Sequence, residues 1–310
     1  MRNAAPGIEW PTLGLLVATY GLWGLGTTVL WAVSPSLAVI LTGVAMAQFS
    51  SLQHEVLHGH PFRNAHLNHA LVFLPLGLFY PYLRFLDTHL AHHHDPNLTD
   101  PYDDPESNFQ DPAVWARMGR ARKALLRVNN TLLGRMVLGP ALGAVMFWAG
   151  DIAAMRRGNR RIALSYALHG LGLLALAGWW WAGPGQMSLP AYLAAAYLGA
   201  ALLKIRTFLE HRAHEAFRAR TVIIEDRGPL ALLFLNNNLH VVHHCHPQVP
   251  WYMLPALYRS NRDHYLRRND SYVFRNYAEI FRRFFLRAKD PVPHPIWPVK
   301  KAEAGKIAAE

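Results

Sequence analysis

Charged residues are scarce in this sequence of 310 residues. Asp, Glu, Lys and Arg make up 16% of it, whereas soluble domains carry about 25% charged residues. Because 52% of the residues are hydrophobic, the deficit argues against an ordinary soluble domain and favours a chain in contact with a bilayer. The mean hydropathy is only +0.05 and the net charge is +11, so apolar stretches must alternate with strongly basic ones.

Cysteine is almost absent, since Cys245 is the only one in the sequence. A single thiol excludes a disulfide scaffold, a zinc site made of thiolates and the four-cysteine ligand set of an iron–sulfur cluster. Any metal must therefore be held by other side chains. Histidine is the obvious source, because the sequence contains 18 histidines and most of them fall into four short clusters.

Four apolar stretches are long enough to span a bilayer. Residues 11–32 and 36–57 are separated by a short break at Pro35, and residues 162–182 and 189–210 are separated by a Gly-Pro-Gly turn. We predict two transmembrane helical hairpins. A cleaved signal peptide is the alternative for the first stretch, but its apolar region is too long and a second span follows at once.

Basic residues predict the orientation of these spans. Many lie between Arg117 and Arg161, and more follow Arg206, so the positive-inside rule places them in the cytoplasm, with both termini. The compactness of the chain suggests a bacterial inner membrane. Apolar residues 69–86 and 131–150 are predicted to be interfacial or re-entrant. If the first segment crossed the bilayer alone, it would place the histidine clusters on opposite sides, and if the second crossed alone, it would place its two basic flanks on opposite sides. A paired crossing by both segments is the alternative. Residues 211–299 then form a helical cytoplasmic cap, and residues 300–310 a disordered tail.

Three histidine clusters have spacings that place their imidazoles on one side of a helix. Residues 54–58 read HxxxH, and residues 89–93 and 240–244 both read HxxHH, so histidines at i, i+3 and i+4 converge. A smaller cluster surrounds His211, where the last span ends. Eight imidazoles exceed the capacity of one ion, which favours two neighbouring ions; neutral imidazole suits iron, zinc, copper and nickel. A single histidine pair of this kind would more often make polar contacts at the protein surface or with lipid headgroups.

Two other readings use the same histidines. Residues 54–58 satisfy the zinc metalloprotease pattern, in which two histidines flank a glutamate, but a hydrolase would not need the other clusters. A membrane metal transporter belongs to a different class of protein and needs ligands near the bilayer midplane, whereas every cluster in this sequence lies at or beyond the end of a span.

The three clusters, in this order and relative to these hairpins, resemble the three histidine boxes of the membrane fatty acid desaturase family. The resemblance covers about residues 36–259, including the acidic segment 100–106 after the second box and Asn236–Asn238 before the third. Where the family carries an asparagine four residues before its extra ligand, this sequence has Thr207. The resemblance implies that the metal ligands are His54, His58, His89, His92, His93, His211, His240, His243 and His244.

The resemblance also implies a chemistry. Two Fe²⁺ ions would use dioxygen and two external electrons to remove two hydrogens from a fatty acyl chain, whose C–H bonds no side-chain acid or base can break. The alternatives within the superfamily are a lipid, alkane or carotenoid hydroxylase or ketolase, and a fatty acid decarboxylase. The sequence carries no cysteine-rich cluster or dinucleotide fingerprint, so we expect a separate reductase with a ferredoxin, rubredoxin or cytochrome carrier, and no nucleic acid partner.

Metal-bound histidines usually donate their outer N–H to a neighbouring acceptor. The candidates for this role are Glu55, Asp95, Asp103, Asp104, Glu210, His214, Glu215 and Asn237. The remaining histidines near the boxes, His60, His94 and His246, are expected behind the ligands or at the surface. His169 lies within a span and is expected to form a hydrogen bond between helices.

Overall fold

The computed structural model describes residues 7–94 and 97–298, and this part of the chain is mostly helical. The prediction of an all-α fold is confirmed. The helices in chain order are α1 Trp10–Thr27, α2 Val29–Val33, α3 Pro35–Leu57, α4 Ala65–Leu71, α5 Tyr82–His94, α6 Pro112–Arg117, α7 Arg120–Asn129, α8 Leu132–Arg156, α9 Arg160–Trp181, α10 Leu189–Thr207, α11 Pro229–Leu233, α12 His240–Cys245, α13 Leu254–Ser260, α14 Arg262–Arg268 and α15 Tyr277–Phe284.

Helices α1 and α3 are joined by the short α2, and proline residues begin both of the long helices. Pro11 and Pro35 occupy the first turn of α1 and α3, where a missing N–H costs nothing because no intrahelical acceptor is available. The two helices approach closely at Gly26, since a Cβ atom there would lie 2.2 Å from Thr42 Oγ1. The observed helices match the predicted stretches 11–32 and 36–57 to within a few residues.

Helices α9 and α10 are connected by a loop that lies against the junction of α1 and α2. The backbone N–H groups of Gln186 and Met187 donate to the Thr27 carbonyl, at 2.8 and 3.1 Å. The indole of Trp179 donates to the Thr27 hydroxyl at 3.1 Å. These bonds bring the two interhelical turns to the same end of the molecule, so the histidine-bearing ends of α3 and α10 lie together at the other.

The packing of α3 on α10 depends on two glycines. A Cβ atom on Gly199 would lie 2.8 Å from the Gly43 carbonyl oxygen and 3.0 Å from Met46 Cβ. Small residues of this kind let two helix backbones approach closely, which is how helices gain packing energy in lipid. The close approach brings the end of α3, with His54, beside the segment that follows α10, with His211.

Four helical stretches within residues 7–94 and 97–298 are long and apolar enough to cross a membrane. These stretches are Trp10–Val33, Pro35–Leu57, Leu132–Arg156 and Arg160–Trp181. The set differs from the predicted one because it includes α8 and leaves out α10, whose last turn carries Lys204 and Arg206.

The re-entrant alternative for residues 131–150 is wrong, because α8 is one continuous helix of 25 residues that does not turn back. Pro140 lies inside it and removes one backbone hydrogen bond, which a long helix accommodates. The interfacial placement of this segment stays a prediction. Residues 69–86 form no long helix; they contain the end of α4, an irregular stretch and the start of α5.

The part of the predicted cap that the structure describes, residues 211–298, folds into short helices and one small pair of strands. Strands β1 (Ile223–Ile224) and β2 (Val273–Phe274) pair in parallel. Phe234 and Ile280 are fully buried in a core that the cap shares with Phe208 at the end of α10. This shared core anchors α12, with the third histidine cluster, over the ends of α3 and α10. The predicted tail, residues 300–310, lies outside the described residues.

Candidate metal centre

The first histidine cluster lies where α3 ends. His54 is in the last turn of the helix, His58 follows its last residue, and Gly59 then has a φ of 104°. A left-handed glycine at this position ends an α-helix without steric cost. The chain therefore turns away directly after His58, and both imidazoles face the space above the end of the helix.

Helices α5 and α12 divide their histidines between two sides. In α5, His89 and His93 are four residues apart and point to one side, and His92 points to the other. In α12 the arrangement is reversed, because His240 and His244 point together and His243 points away from them. Each HxxHH cluster thus supplies two imidazoles to one group and one imidazole to the other.

The structure brings all nine predicted histidines together and sorts them into two groups. In each group the candidate ligand atoms lie within 4.8 Å of one another. The first group has five members and the second has four. They are His54, His58, His89, His93 and His243 in the first, and His92, His211, His240 and His244 in the second.

The ring nitrogens within each group face one another at short distances. The facing Nε2 pairs are His58 and His89 at 3.3 Å, His93 and His243 at 3.1 Å, His211 and His240 at 3.1 Å, and His240 and His244 at 3.1 Å. Two imidazole nitrogens bound to one ion at about 2.1 Å lie roughly 3.0 to 3.4 Å apart for bond angles near 90 to 110°. The observed spacing fits ligands arranged around a common ion.

Two further imidazole nitrogens, one in each group, are buried without a hydrogen bond. His54 Nε2 and His92 Nε2 have no hydrogen-bond partner among the residues that the structure describes. A buried polar atom without a hydrogen bond lowers the stability of a protein by about 1 to 3 kcal/mol. Two such nitrogens, each surrounded by other imidazole nitrogens, therefore need an explanation. A cation in each group would satisfy them, and the donor set suits a transition metal.

Acidic and amide side chains hold the outer nitrogens of three histidines. The Nδ1 of His92 donates to Asp104 at 2.8 Å, and the Nδ1 of His89 donates to Glu106 at the same distance. The Nδ1 of His240 donates to the Asn237 side-chain oxygen at 3.0 Å. Each contact fixes the ring so that its Nε2 points into the group, which is the role of a partner behind a metal ligand.

The environment keeps most of these imidazoles neutral. Burial, followed by the charge of His89, lowers the pKa of both His58 and His93 to about 2. Burial also lowers the pKa values of His211, His240, His243 and His244 well below the ordinary value. Neutral imidazole is the form that binds metals, so these side chains are ready to act as ligands at physiological pH.

His92 behaves differently from the other members of the second group. Burial opposes its charged form, but the carboxylates of Glu106 and Asp104 together raise the pKa of His92 to about 9. The same interaction works on the acid, because the charges of His92 and His89 lower the pKa of Glu106 in spite of its partial burial. The carboxylates thus concentrate negative potential at the junction of the two histidine groups, where it would stabilise bound cations.

The structure places three of the other site candidates beside the histidines. Asp104 and Asn237 contact box histidines directly. Glu210 lies 4.0 Å from the Nδ1 of His240, accepts a hydrogen bond from Asn237 at 3.2 Å and pairs with Arg206 at 3.0 Å. It therefore supports the third cluster through Asn237.

Three of the candidates do not support a box histidine within the described residues. Asp103 accepts a weak hydrogen bond from Asn97 at 3.4 Å, His214 pairs with Asp270 at 3.3 Å, and Glu215 is exposed. These three lie on loops that turn away from the centre. Asp95 lies outside the described residues.

Glu55 belongs to a separate buried cluster instead. It accepts a hydrogen bond from the Trp251 backbone at 2.9 Å and lies 3.8 Å from His60, which in turn pairs with Glu9 at 2.7 Å. The prediction that Glu55 orients a box histidine is wrong, because its neighbour His54 points into the centre and Glu55 points to another face of α3. The cluster ties the start of α1 to the first box.

The other histidines lie outside the two groups. His94 and His246 are exposed, and His94 donates to the Leu90 carbonyl at 2.6 Å. His169 in α9 bonds the Leu78 carbonyl at 2.9 Å, so its partner is the irregular segment before α5 and not a second helix.

Sequence reasoning missed Glu106 and Arg206 as site residues. Glu106 lies in the acidic segment 100–106 after the second box, but the spacing of this segment does not distinguish Glu106 from the other acidic residues as a partner of a histidine. In the sequence, Arg206 marks only the start of a basic segment that predicts the orientation of the spans. Only the folded arrangement shows that Glu106 holds His89 and that Arg206 holds Glu210.

Long apolar helices with two adjoining groups of buried and half-buried imidazoles at one end fit a membrane-bound metalloenzyme. A family model described as fatty acid desaturase matches residues 11–276, and the chain belongs to this family. The match confirms the resemblance predicted from the boxes. The family consists of di-iron oxidoreductases of the membrane.

A curated relative gives a second comparison. The chain is 27% identical over 262 residues to a protein named beta-carotene ketolase from Paracoccus sp. (strain N81106 / MBIC 01143). The match covers 78% of this chain and 86% of that protein. The family and the relative together identify an integral membrane oxidoreductase of the desaturase and oxygenase superfamily, with a lipid as the expected class of substrate.

Proposed function

We propose that this chain binds two iron ions and oxidises the hydrocarbon chain of a lipid with dioxygen. The observation that carries the proposal is the division of nine imidazoles into adjoining groups of five and four, with buried, unpaired nitrogens in both. His54, His58, His89, His93 and His243 would hold one ion, and His92, His211, His240 and His244 the other. Bound iron supplies the activation of dioxygen that an unactivated C–H bond requires.

The residues of the chain itself have three tasks in this reaction. Asp104, Glu106 and Asn237 keep the imidazoles oriented with Nε2 inward. The buried surroundings of the groups exclude bulk water, which protects a reactive oxidant from side reactions. The apolar helices would hold the substrate chain, with burial worth roughly 0.8 kcal/mol for each methylene.

Desaturation of a fatty acyl chain is the first candidate reaction. Removal of two hydrogens with their electrons, together with two external electrons and two protons, reduces one dioxygen to two waters and leaves an alkene. Ketolation of a carotenoid is the second candidate, and it is favoured by the relative named beta-carotene ketolase. The two reactions need the same metal centre, and they differ in whether oxygen is transferred to the substrate carbon.

The electrons would come from a separate carrier of the ferredoxin, rubredoxin or cytochrome type, together with its reductase. Basic residues between Arg117 and Arg161 and between Arg259 and Arg287 are the proposed docking surfaces for an acidic carrier. Anionic lipid headgroups would attract the same charges, so salt-dependent turnover with the carrier is the observation that would support docking.

Membrane orientation is part of the proposal. Both ends of α8 contact elements on the histidine side: the Leu133 N–H donates to the Phe285 carbonyl at 3.0 Å, and Asp151 pairs with Arg84 of α5 at 2.9 Å. These contacts support an interfacial α8, with α1, α3, α9 and α10 as the four spans. The histidines would then face the cytoplasm of a bacterial cell.

The test is expression with a matched carrier and reductase in two hosts, one making only its ordinary acyl lipids and one also making β-carotene. Mass spectrometry of total lipids would then report the reaction. Acyl chains lacking two hydrogens support desaturation, and carotenoids that have exchanged two hydrogens for one oxygen support ketolation. His92→Ala is the inactive control. Lipids unchanged in both hosts, although the purified chain carries iron, would overturn the proposal.

A further inference from the structure

Lys204 is a half-buried charged side chain in the last turn of α10. It lies near the end of α10, seven residues before His211. In the part of the chain that the structure describes, its ammonium makes no hydrogen bond and no carboxylate lies within 4.0 Å of it. The acidic groups that act on it from a distance are Glu106 and Glu210, and both already have closer partners.

The side chain runs across two glycines of α8. Its Cγ lies 3.5 Å from the place where a Cβ of Gly139 would be, and its Nζ lies 3.6 Å from the corresponding place at Gly143. The ammonium therefore points further from the start of α8 than its stem does. Lys204 thus presents its ammonium to α8 beside Gly143.

A second polar atom converges on the same place. The Tyr80 hydroxyl lies 3.4 Å from the position that a Cβ of Gly143 would occupy. The Tyr80 ring packs on Phe147 at 5.1 Å, and its hydroxyl forms no hydrogen bond within residues 7–94 and 97–298. An ammonium and a hydroxyl thus border one gap beside Gly143, and neither has an acceptor.

Neighbouring charges make this gap electropositive. Arg135 of α8 and Arg206 of α10 both act on Lys204, and each has its own partner. Arg135 donates to the Asn129 carbonyl at 3.0 Å, and Arg206 pairs with Glu210 at 3.0 Å. Of these three cations, Lys204 is the one without a hydrogen bond or an ion pair among the described residues. A half-buried ammonium without an acceptor is costly, and this one calls for an oxygen acceptor.

We propose that Lys204 and Tyr80 bind the oxygen-bearing end group of the lipid substrate, with a carboxylate as the best fit. The inference rests on the proposed function, because it takes the same lipid as the occupant of the site, and Lys204 is close enough to the metal centre to interact electrostatically with Glu106 and Glu210. By holding one end of the lipid at Gly143, Lys204 acts as a positioning residue that selects which carbon is oxidised. The same chemistry would also suit the phosphate of a resident phospholipid, and the test separates the two.

The experiment measures binding of three probes to the purified full chain in detergent: palmitate, its methyl ester and hexadecane. The variants are Lys204→Met, which keeps the length of the side chain, Lys204→Arg, Tyr80→Phe and Gly143→Ala. The last adds a methyl group at ordinary contact distances from both polar atoms, so it fills the gap without removing a charge. Lys123→Met on α7 is the matched control.

The wild type should bind palmitate more tightly than the ester or hexadecane. Lys204→Met should reduce palmitate affinity roughly ten- to hundredfold, the value of a hydrogen bond to a charged group, with hexadecane affinity unchanged. Lys204→Arg should retain most of the preference, Tyr80→Phe and Gly143→Ala should lose part of it, and Lys123→Met should leave it unchanged.

Equal palmitate affinity for wild type and Lys204→Met would overturn the proposal, as would an equal loss in Lys123→Met. So would loss of a co-purifying anionic phospholipid from Lys204→Met without any change in palmitate binding, because that result would assign the site to a resident headgroup. Unfolding temperature and iron content check that each variant folds. If palmitate selectivity depends on Lys204 while the iron-loaded chain oxidises no lipid, the proposed function fails and the binding site stands.

Discussion

Replacing Asp104 by asparagine should remove one metal ion and leave the other in place. The Asp104 side chain is 1% exposed; it accepts from the Nδ1 of His92 at 2.8 Å, and from the backbone N–H groups of Thr99 and Glu106 at 2.8 and 2.9 Å. Asparagine has one acceptor oxygen in place of two. Either His92 or Thr99 must then face an amide NH₂ group, and the orientation of His92 is no longer enforced.

The magnitude follows from the role of the carboxylate. Loss of an outer partner of a metal-bound histidine typically reduces metal affinity 10- to 100-fold, which corresponds to about 1.4 to 2.8 kcal/mol. His92 belongs to the group of four, so only His211, His240 and His244 would remain as well-oriented ligands of that ion. The group of five keeps all its members.

The assay is anaerobic titration with Fe²⁺ against a competing chelator, followed by iron analysis after dialysis. Asp103→Asn is the matched control, because Asp103 is exposed and contacts no box histidine in the described structure. Iron content should fall from two ions per chain to one in Asp104→Asn and stay at two in Asp103→Asn. Equal affinities in the two variants, or equal loss from both sites, would refute the reasoning. Unfolding of the metal-free proteins separates a folding defect from a ligand defect.

Three further results are expected. Gly199→Leu should lower the free energy of unfolding by about 1 to 3 kcal/mol or more through overpacking against α3. Gly21→Leu is the control and should be close to neutral, because a Cβ atom at Gly21 would have no other atom within 4 Å. Equal unfolding temperatures of the two variants in detergent would contradict the close approach of α3 and α10. Arg84→Met leaves the Asp151 carboxylate, which is 6% exposed, without its Arg84 partner, so the free energy of unfolding should fall by up to about 3 to 5 kcal/mol. The double variant Arg84→Met with Asp151→Leu should recover much of this stability, as measured by unfolding in detergent. Chelation should lower the unfolding temperature of the iron-loaded wild type, since metal at a hundred times its Kd stabilises by about 2.7 kcal/mol; no shift would argue against folding-linked metal binding.

The helices were predictable where the composition alone decides them. The apolar runs around residues 11–32, 36–57 and 162–182 correspond to α1, α3 and α9, because a long apolar run in lipid has to satisfy its own backbone hydrogen bonds. Residues 131–150 were harder to predict. Hydropathy does not distinguish a helix that crosses the bilayer from one that lies along it, and the contacts of Leu133 and Asp151 on the histidine side arise only from folding.

The partners of the histidines were predictable only in part. Asp104 and Asn237 were among the candidates, but so were Asp103 and Glu55, and the spacing treats them alike. The difference lies in direction: Asp104 is buried against His92, whereas Asp103, its neighbour in sequence, points outward. A one-residue change of direction in a loop cannot be predicted from periodicity, because loops have none.

The sequence by itself determined that nine imidazoles, spaced for helix faces and placed at the ends of apolar spans, would be available in one layer. The tertiary structure decided how they divide, with five around one centre and four around the other, because that depends on how α5 and α12 are rotated against each other and against α3. It also decided that Glu106 supports His89 and that Lys204 points into a gap beside Gly143. Helix periodicity is a local property of the chain, whereas rotation and contact between helices come only from packing.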